Sequence, residues 1–187
     1  MSAKAAAVHQ SDRQAHAAAE PVWDIIELLF FAYRDFVSDP DDVLTRLNFG
    51  RAHHRVLHFV NRHPGLRVAD LLDILKITKQ SLGRVLKELI GQAYIAQEAG
   101  SVDRRERLLF PTDAGRALAK RLAAPQSVRL ADALASAGPG AEAVVRRFLQ
   151  AMIDAEERPK VSTIMATSER ASGEPDDLSE PAKGGAP

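Results

Sequence analysis

Two short amphipathic helices separated by a very short turn constrain the fold of this chain more than any other feature of its sequence. Apolar residues recur at helical spacing over 68–75 and again over 82–90. Only Lys76 and Ile77 separate the first helix from Thr78, whose hydroxyl is suited to cap the second helix by accepting a backbone hydrogen bond. Two helices joined so tightly are typical of a helix-turn-helix.

A β-hairpin with a charged tip is predicted directly after these helices. Residues 94–98 and 105–110 have the pattern of strands, and Pro111 ends the second one. The tip and second strand contain Arg104, Arg105 and Arg107, and an arginine on a narrow protruding loop can enter a DNA minor groove. Asp103 would repel phosphate, so we expect it to orient a neighbouring arginine through a charge-assisted hydrogen bond.

The remaining helices frame this central region. A helix over 21–37 is apolar on almost all sides, so it must be buried on most of them, and a second copy of the protein is the expected cover. Another helix is predicted at about 49–61. Thr112 can cap a helix that Pro125 interrupts or kinks and that resumes at about 127–136. Apolar residues spaced 4, 3, 4 within 141–157 form a seam suited to packing of two helices side by side.

The two ends of the chain are predicted to be disordered. Residues 1–18 form an N-terminal arm, and residues 159–187 form a tail rich in proline, glycine and serine with few large apolar groups. The ordered domain is expected over 19–158. Asp39, Asp41 and Asp42 are assigned to a helix-capping turn rather than to a calcium site.

The charge of the chain is unevenly distributed although its sum is zero. Residues 1–45 contain 3 basic and 8 acidic side chains, residues 46–121 contain 15 and 7, and residues 122–187 contain 7 and 10. The centre also contains four histidines, which can add partial positive charge: His53, His54, His58 and His63. A basic centre between acidic flanks indicates a polyanionic partner.

One face of the second helix suits DNA. Opposite its apolar stripe lie four residues at positions i, i+3, i+4 and i+7: Gln80, Gly83, Arg84 and Lys87. Glutamine can pair with adenine and arginine with guanine in the major groove, whereas Lys79, Ser81 and Lys87 would mostly bind phosphates. Gly83 would allow close approach to a duplex.

Several classes of protein are excluded by residues the chain lacks. Without cysteine there is no disulfide, no thiolate nucleophile and no Cys-ligated metal. No catalytic motif and no phosphate-binding loop is present, so we expect neither enzymatic activity nor a cofactor. His54 and His58 have a spacing found in zinc sites, but no third ligand accompanies them, and no metal is predicted. Lacking a membrane span and a secretory signal, the chain is expected to be cytoplasmic.

The segment from 71 to 115 resembles the winged helix-turn-helix of the MarR family of bacterial transcription regulators. The most specific part is the wing, with Asp-x-Arg at its tip, an apolar strand, and Thr-x-x-Gly opening the next helix. The resemblance implies a mainly α fold with a small β-hairpin wing, a DNA-binding lobe at 49–122, and a homodimer formed through the helices at 21–37 and 141–157. It also implies that 78–87 is the recognition helix, that Arg104 or Arg105 is the minor-groove residue, and that Asp103 is the structural acid of the wing.

Two departures from the family pattern affect what the resemblance implies. The family usually has glycine just before the first wing strand, where this chain has Ala93, so a different backbone turn is expected there. The absence of cysteine excludes the peroxide-sensing branch of the family.

We therefore predict a homodimeric regulator that binds double-stranded DNA at a palindromic site. The alternative is a winged-helix interaction module that binds an acidic partner without specific DNA recognition. A small anionic effector is also compatible with the resemblance. It would lie between the helices at 21–37, 49–61 and 112–124, where four side chains would favour an anion: Arg51, His54, Arg55 and His58. The alternative is that these four side chains are surface groups or contact DNA phosphates.

Overall fold

The computed structural model describes residues 20–101 and 103–173, with side chains described as far as residue 167. The predicted arm at 1–18 and the segment 174–187 lie outside the described residues. The chain divides into two compact units, of which one ends at Ser38 and the other begins at Asp39. No helix among the described residues combines the length and the apolar character needed to cross a bilayer.

The first unit contains helix α1, Trp23–Ser38, close to the predicted bounds. None of its residues is buried, and Trp23 and Phe30 are 64% and 68% exposed. The predicted cover of this helix by a second copy of the protein stays a prediction.

The second unit is mainly helical with one small sheet. Its elements are α2 Asp41–Arg46, α3 Arg51–Arg62, β1 Leu66–Arg67, α4 Val68–Leu75, α5 Lys79–Gly91, β2 Ile95–Ala99, β3 Arg107–Pro111, α6 Asp113–Ala137, α7 Ala141–Met152 and α8 Arg158–Gly173. The antiparallel sheet has the order β1-β3-β2. The mainly α fold with a β-hairpin wing is confirmed, and β1 adds a short strand that the sequence did not predict.

The core of this unit lies where α3, α4, α5, α6 and the sheet meet. Its most deeply buried side chains are Leu44, Val56, Leu57, Val60, Leu71, Leu82, Leu89, Ile95, Leu109 and Leu122. Leu82 and Leu89 belong to the apolar stripe predicted for the second helix of the helix-turn-helix. Burial of that stripe leaves the opposite face of α5 exposed to solvent.

The region before α3 differs from its prediction. Residues 39–42 do not form only a capping turn, because α2 begins at Asp41 and has Asp41 and Asp42 in its first turn. Acidic side chains are favoured there by the helix dipole.

Helix α6 runs without a break through Pro125, so the predicted interruption was wrong, whereas the predicted alternative of a kink stays a prediction. Proline costs one backbone hydrogen bond, but its φ is compatible with a helix, so contacts further along can keep the helix intact. Four residues after Pro125, Arg129 is joined to Asp39 through two bonds of 2.7 and 2.6 Å. These bonds from Arg129 also lower the pKa of the Asp39 carboxyl below its usual value.

The C-terminal region also differs from its prediction. Helix α7 ends at Met152 instead of 157, because Ile153 has an extended backbone. Residues 158–173 form helix α8, so the predicted disorder of 159–187 was wrong for this part. The composition of the tail misled the prediction, since most of its prolines and glycines follow residue 173. Pro159 is in the first turn of α8, where proline is tolerated.

Ion pairs join α8 and the segment before it to α4, the first helix of the helix-turn-helix. Lys160 pairs with Asp73, which also accepts a bond from Lys76 at 2.9 Å. Lys76 in turn contacts Glu157 at 3.1 Å. Two pairs between residues more than 80 positions apart therefore connect the C-terminal segment to α4.

The exit from α5 is formed by Ala93 in the left-handed region, with φ of 58°. The expectation of a different backbone turn was wrong, because alanine adopts the conformation that glycine favours. The carbonyl of Ala93 accepts a 2.6 Å hydrogen bond from the Thr112 hydroxyl. The Thr112 hydroxyl also accepts one from the Gly115 amide at 3.0 Å, and so caps α6 as predicted.

Replacing Ala93 with glycine is expected to stabilise the protein. A left-handed conformation is strained for alanine, so Ala93→Gly should raise the free energy of unfolding by about 1 kcal/mol. That corresponds to an increase in Tm of about 2–4 °C for a chain of this size. Thermal unfolding followed by circular dichroism measures the change. Ala114→Gly, inside the first turn of α6, is the control and should lower the Tm; a lower Tm for Ala93→Gly would contradict the assigned backbone.

Candidate nucleic-acid interface

The beginning of α5 has the predicted cap. The Thr78 side-chain oxygen accepts a hydrogen bond from the Ser81 amide at 3.1 Å and lies 2.9 Å from the Ser81 hydroxyl. Lys76, with φ of 51°, ends α4 in the left-handed region and allows the chain to turn within two residues. The first turn of α5 therefore presents Lys79, Gln80 and Ser81 to solvent in a fixed position.

The polar face of α5 is exposed along its length. Gln80, Gly83, Arg84 and Lys87 are all exposed, opposite the buried stripe that contains Leu82. Apart from its two chain neighbours and the nearby backbone of α5 itself, no described atom lies within 4 Å of the position that a Cβ on Gly83 would occupy. Packing within the protein therefore does not require glycine at position 83. The absence of a side chain there leaves space on the face of α5 that was predicted to bind DNA.

The wing tip is a closed turn stabilised by Asp103. Its carboxylate accepts a 2.8 Å hydrogen bond from the backbone amide of Arg105, and its carbonyl accepts one from Glu106 at 3.0 Å. Asp103 thus orients the neighbouring arginine through its backbone. Gly100 is required here, since a Cβ would lie 2.6 Å from the Asp103 carbonyl oxygen. Arg104 and Arg105 are exposed at this tip.

Sequence reasoning did not separate the third arginine of the wing from the other two. Arg107 donates a 3.0 Å hydrogen bond to the Arg104 carbonyl and so stabilises the tip. It also missed Arg67, which joins Asp70 of α4 to Glu106 of the wing through bonds of 2.7 and 3.1 Å. No local pattern marks Arg67, because Glu106 is 39 positions away.

His53 is a second residue that sequence reasoning missed as a structural link. Its Nε2 lies 2.8 Å from the Glu88 carboxylate of α5, and its Nδ1 accepts a hydrogen bond from the Gly50 amide at 3.1 Å. Its ring is stacked on Phe49 with centroids 4.5 Å apart. His53 therefore connects the beginning of α3 to the second half of α5.

The other three central histidines contribute less positive charge than the sequence suggested. Burial lowers the pKa of His54, His58 and His63, and the neighbouring Arg62 guanidinium lowers that of His58 and His63 further. At neutral pH these side chains are mostly uncharged. Within 20–101 and 103–173, no group of three or more histidine or acidic side chains could bind a metal ion.

Of the four residues predicted to bind an anionic effector, His58 lines a cleft of about 310 Å³ together with Arg62 and Arg146. Arg51 forms an ion pair with Asp41 at 2.7 Å. A cleft of about 660 Å³ lies between α8 and the region of β1 and α4, but none of the four predicted residues lines it. The effector stays a prediction.

Comparison with known proteins identifies the family. The model of the MarR family matches residues 47–106, which contain α3, α4, α5 and the first strand and tip of the wing. The HTH-type transcriptional regulator PetP of Rhodobacter capsulatus is 48% identical over 129 residues, which are 69% of this chain and 78% of that protein. The chain belongs to the MarR family.

Solved structures of MarR proteins confirm the winged helix-turn-helix fold. A MarR-family regulator from Silicibacter pomeroyi is 20% identical, with a TM-score of 0.59 over 67% of this chain and 85% of that one. A mutant MarR from E. coli complexed with operator DNA is 16% identical, with a TM-score of 0.54 over 72% and 99% of the two chains. These relatives are described as regulators, and none supports the alternative of an interaction module for an acidic partner.

Proposed function

We propose that this MarR-family chain is a transcriptional regulator that binds a palindromic DNA site as a homodimer. The observation that carries the proposal is the exposed polar face of α5, capped by Thr78 and followed along the chain by the exposed arginine tip of the wing. A helix of this kind fits the major groove, and an arginine-bearing ribbon fits the minor groove. A regulator of this type acts in the cytoplasm, where bacterial DNA lies.

Each exposed side chain has a role that follows from its chemistry. Gln80 and Arg84 are assigned to base edges, because their side chains can form paired hydrogen bonds with adenine and guanine. The residues assigned to phosphates are Thr78, Lys79, Ser81 and Lys87, which lie at the beginning of α5 or along the same face. Arg104 or Arg105 would enter the minor groove, with Asp103 fixing the turn that presents them.

The family relationship supports this assignment. The relative with 48% identity is a regulator of the helix-turn-helix type, and the E. coli MarR structure contains operator DNA. The segment matched by the MarR model also contains α5 and both arginines of the wing tip.

Homodimerisation is proposed from apolar surfaces that a single chain leaves exposed. Within α1, the exposed large side chains include Trp23, Phe30 and Phe31, and within α7 they include Phe148 and Met152. Soluble proteins rarely expose apolar surface of this extent unless a partner covers it. A symmetric dimer would also present two copies of α5 to two major-groove segments about one helical turn apart.

DNA binding across a salt series tests the proposed function. The full-length protein is titrated with a duplex from upstream of its own gene and with a scrambled duplex of the same composition. We expect preference for the upstream site and an affinity that falls steeply with salt, since each neutralised phosphate contributes about 0.9 to the logarithmic slope. Equally weak binding to both duplexes would contradict the proposal.

Variants of Arg84 and Arg105 distinguish recognition of bases from binding to the DNA backbone. Arg84→Ala should cost about 1–3 kcal/mol on the preferred site and reduce the preference over the scrambled duplex. Arg105→Ala should weaken binding to both duplexes with a smaller change in preference. Affinities measured by fluorescence anisotropy check the ranking, and the opposite ranking would contradict the roles assigned to α5 and the wing.

Charged substitutions in the exposed apolar faces test the dimer. Phe30→Glu in α1 and Phe148→Glu in α7 should each shift the protein from dimer to monomer, because both side chains are about half exposed or more in a single chain. Sedimentation velocity measures the mass in solution. Gln97→Glu, on an exposed position of the wing, is the matched control and should leave the dimer intact. The dimer assignment would be contradicted if the wild-type protein were monomeric. It would also be contradicted if the Phe30→Glu and Phe148→Glu variants both remained dimeric.

A further inference from the structure

A carboxylate lies on the proposed recognition helix within reach of the arginine assigned to base reading. Glu88 follows Arg84 by four residues on α5, a spacing at which side chains on a helix are neighbours and opposite charges pair. Yet among the described residues Arg84 forms no ion pair, and the Glu88 carboxylate is bonded instead to the His53 ring at 2.8 Å. The partner of the Glu88 carboxylate therefore affects whether the Arg84 side chain is available to DNA.

His53 is well suited to keep Glu88 in this position because its own ring is fixed. The His53 side chain is only 12% exposed and is stacked on Phe49 with an angle of 8° between the rings. Phe49 in turn makes an edge contact with Tyr94, just before the first wing strand, with centroids 5.7 Å apart. The ring on which His53 is stacked is thus itself in contact with the segment that follows α5.

The hydrogen bonds of His53 also fix its tautomer. Nδ1 accepts a hydrogen bond from the Gly50 amide, so in the neutral ring the proton is on Nε2. Nε2 then donates to the Glu88 carboxylate. Both ring nitrogens are used, and the donor that faces Glu88 is set by a backbone group at the beginning of α3.

We propose that His53 is a positioning residue for DNA recognition, which holds the Glu88 carboxylate away from Arg84 and so leaves the Arg84 guanidinium available to a base. This inference rests on the proposed function. Without the His53 bond, Glu88 would pair with Arg84 along the helix and place a negative charge beside the DNA. The competition would lower affinity about two- to fivefold, the size expected from a helical ion pair together with added phosphate repulsion.

A double-mutant cycle tests the proposal. His53→Phe retains an aromatic ring to stack on Phe49 but removes the bond to Glu88, and Glu88→Gln removes the charge that would compete for Arg84. We expect His53→Phe to reduce affinity for the preferred duplex about two- to fivefold. In a Glu88→Gln protein the same substitution should cause no further loss. In an Arg84→Ala protein the further loss should be smaller than in the wild type, because only the repulsion between Glu88 and phosphate remains.

Two more variants separate positioning from a purely structural role. His53→Gln retains an N–H donor for Glu88 and should bind as the wild type does, although the stacked ring is lost. His63→Phe changes the histidine at the other end of α3, which makes no bond to Glu88, and should leave affinity unchanged. If His53→Phe does not fold by circular dichroism, His53→Leu takes its place in the cycle.

The outcomes distinguish this inference from the proposed function. The proposal is overturned if His53→Phe does not change the affinity for the preferred duplex. It is also overturned if His53→Phe reduces affinity as much in the Glu88→Gln protein as in the wild type, or if His53→Gln binds as weakly as His53→Phe. Failure of the wild-type protein to prefer any duplex would overturn the proposed function and this inference together. If the wild-type protein binds selectively but the effects of His53→Phe and Glu88→Gln on affinity simply add, this inference alone would be overturned.

Discussion

The arrangement of the winged lobe depends on one side-chain hydroxyl. Thr112 donates to the carbonyl of Ala93 at the exit from α5 and accepts from the amide of Gly115 at the beginning of α6, while its own amide donates to Tyr94 at 3.1 Å. Three elements therefore meet at one residue. The close approach also requires glycine at position 115, because a Cβ there would lie 2.0 Å from the Tyr94 carbonyl oxygen. The Thr-x-x-Gly sequence is thus a packing requirement as well as a helix cap.

The sequence predicted the parts of the fold that local patterns determine. The apolar stripe of α5 and the caps at Thr78 and Thr112 each involve residues only a few positions apart, and all were located correctly. The exposed arginines of the wing were also located, because a charged turn between two strands has a local signature. Their contacts with DNA stay predictions.

The features that the sequence did not predict depend on contacts between distant residues or on contradictory local signals. Strand β1 exists because Leu66 pairs with Leu109, and His53 is fixed in part by Glu88, 35 positions away. Helix α8 was not predicted because the residues after it are rich in proline and glycine. Ala93 shows the opposite error: its residue type argued against a left-handed turn, but the bonds around it impose one at a modest cost in free energy.

The ion pairs of α8 change how the C-terminal end of this protein should be regarded. Asp73 of α4 carries negative charge on the first helix of a lobe assigned to bind a polyanion, and Lys160 neutralises it from the other end of the sequence. A chain shortened before residue 158 would keep every element of the winged helix-turn-helix. It would nevertheless leave that carboxylate without Lys160, so that Lys76 alone would remain to pair with it. Through Lys160, helix α8 therefore contributes to the ion pairs of the lobe that is assigned to bind DNA.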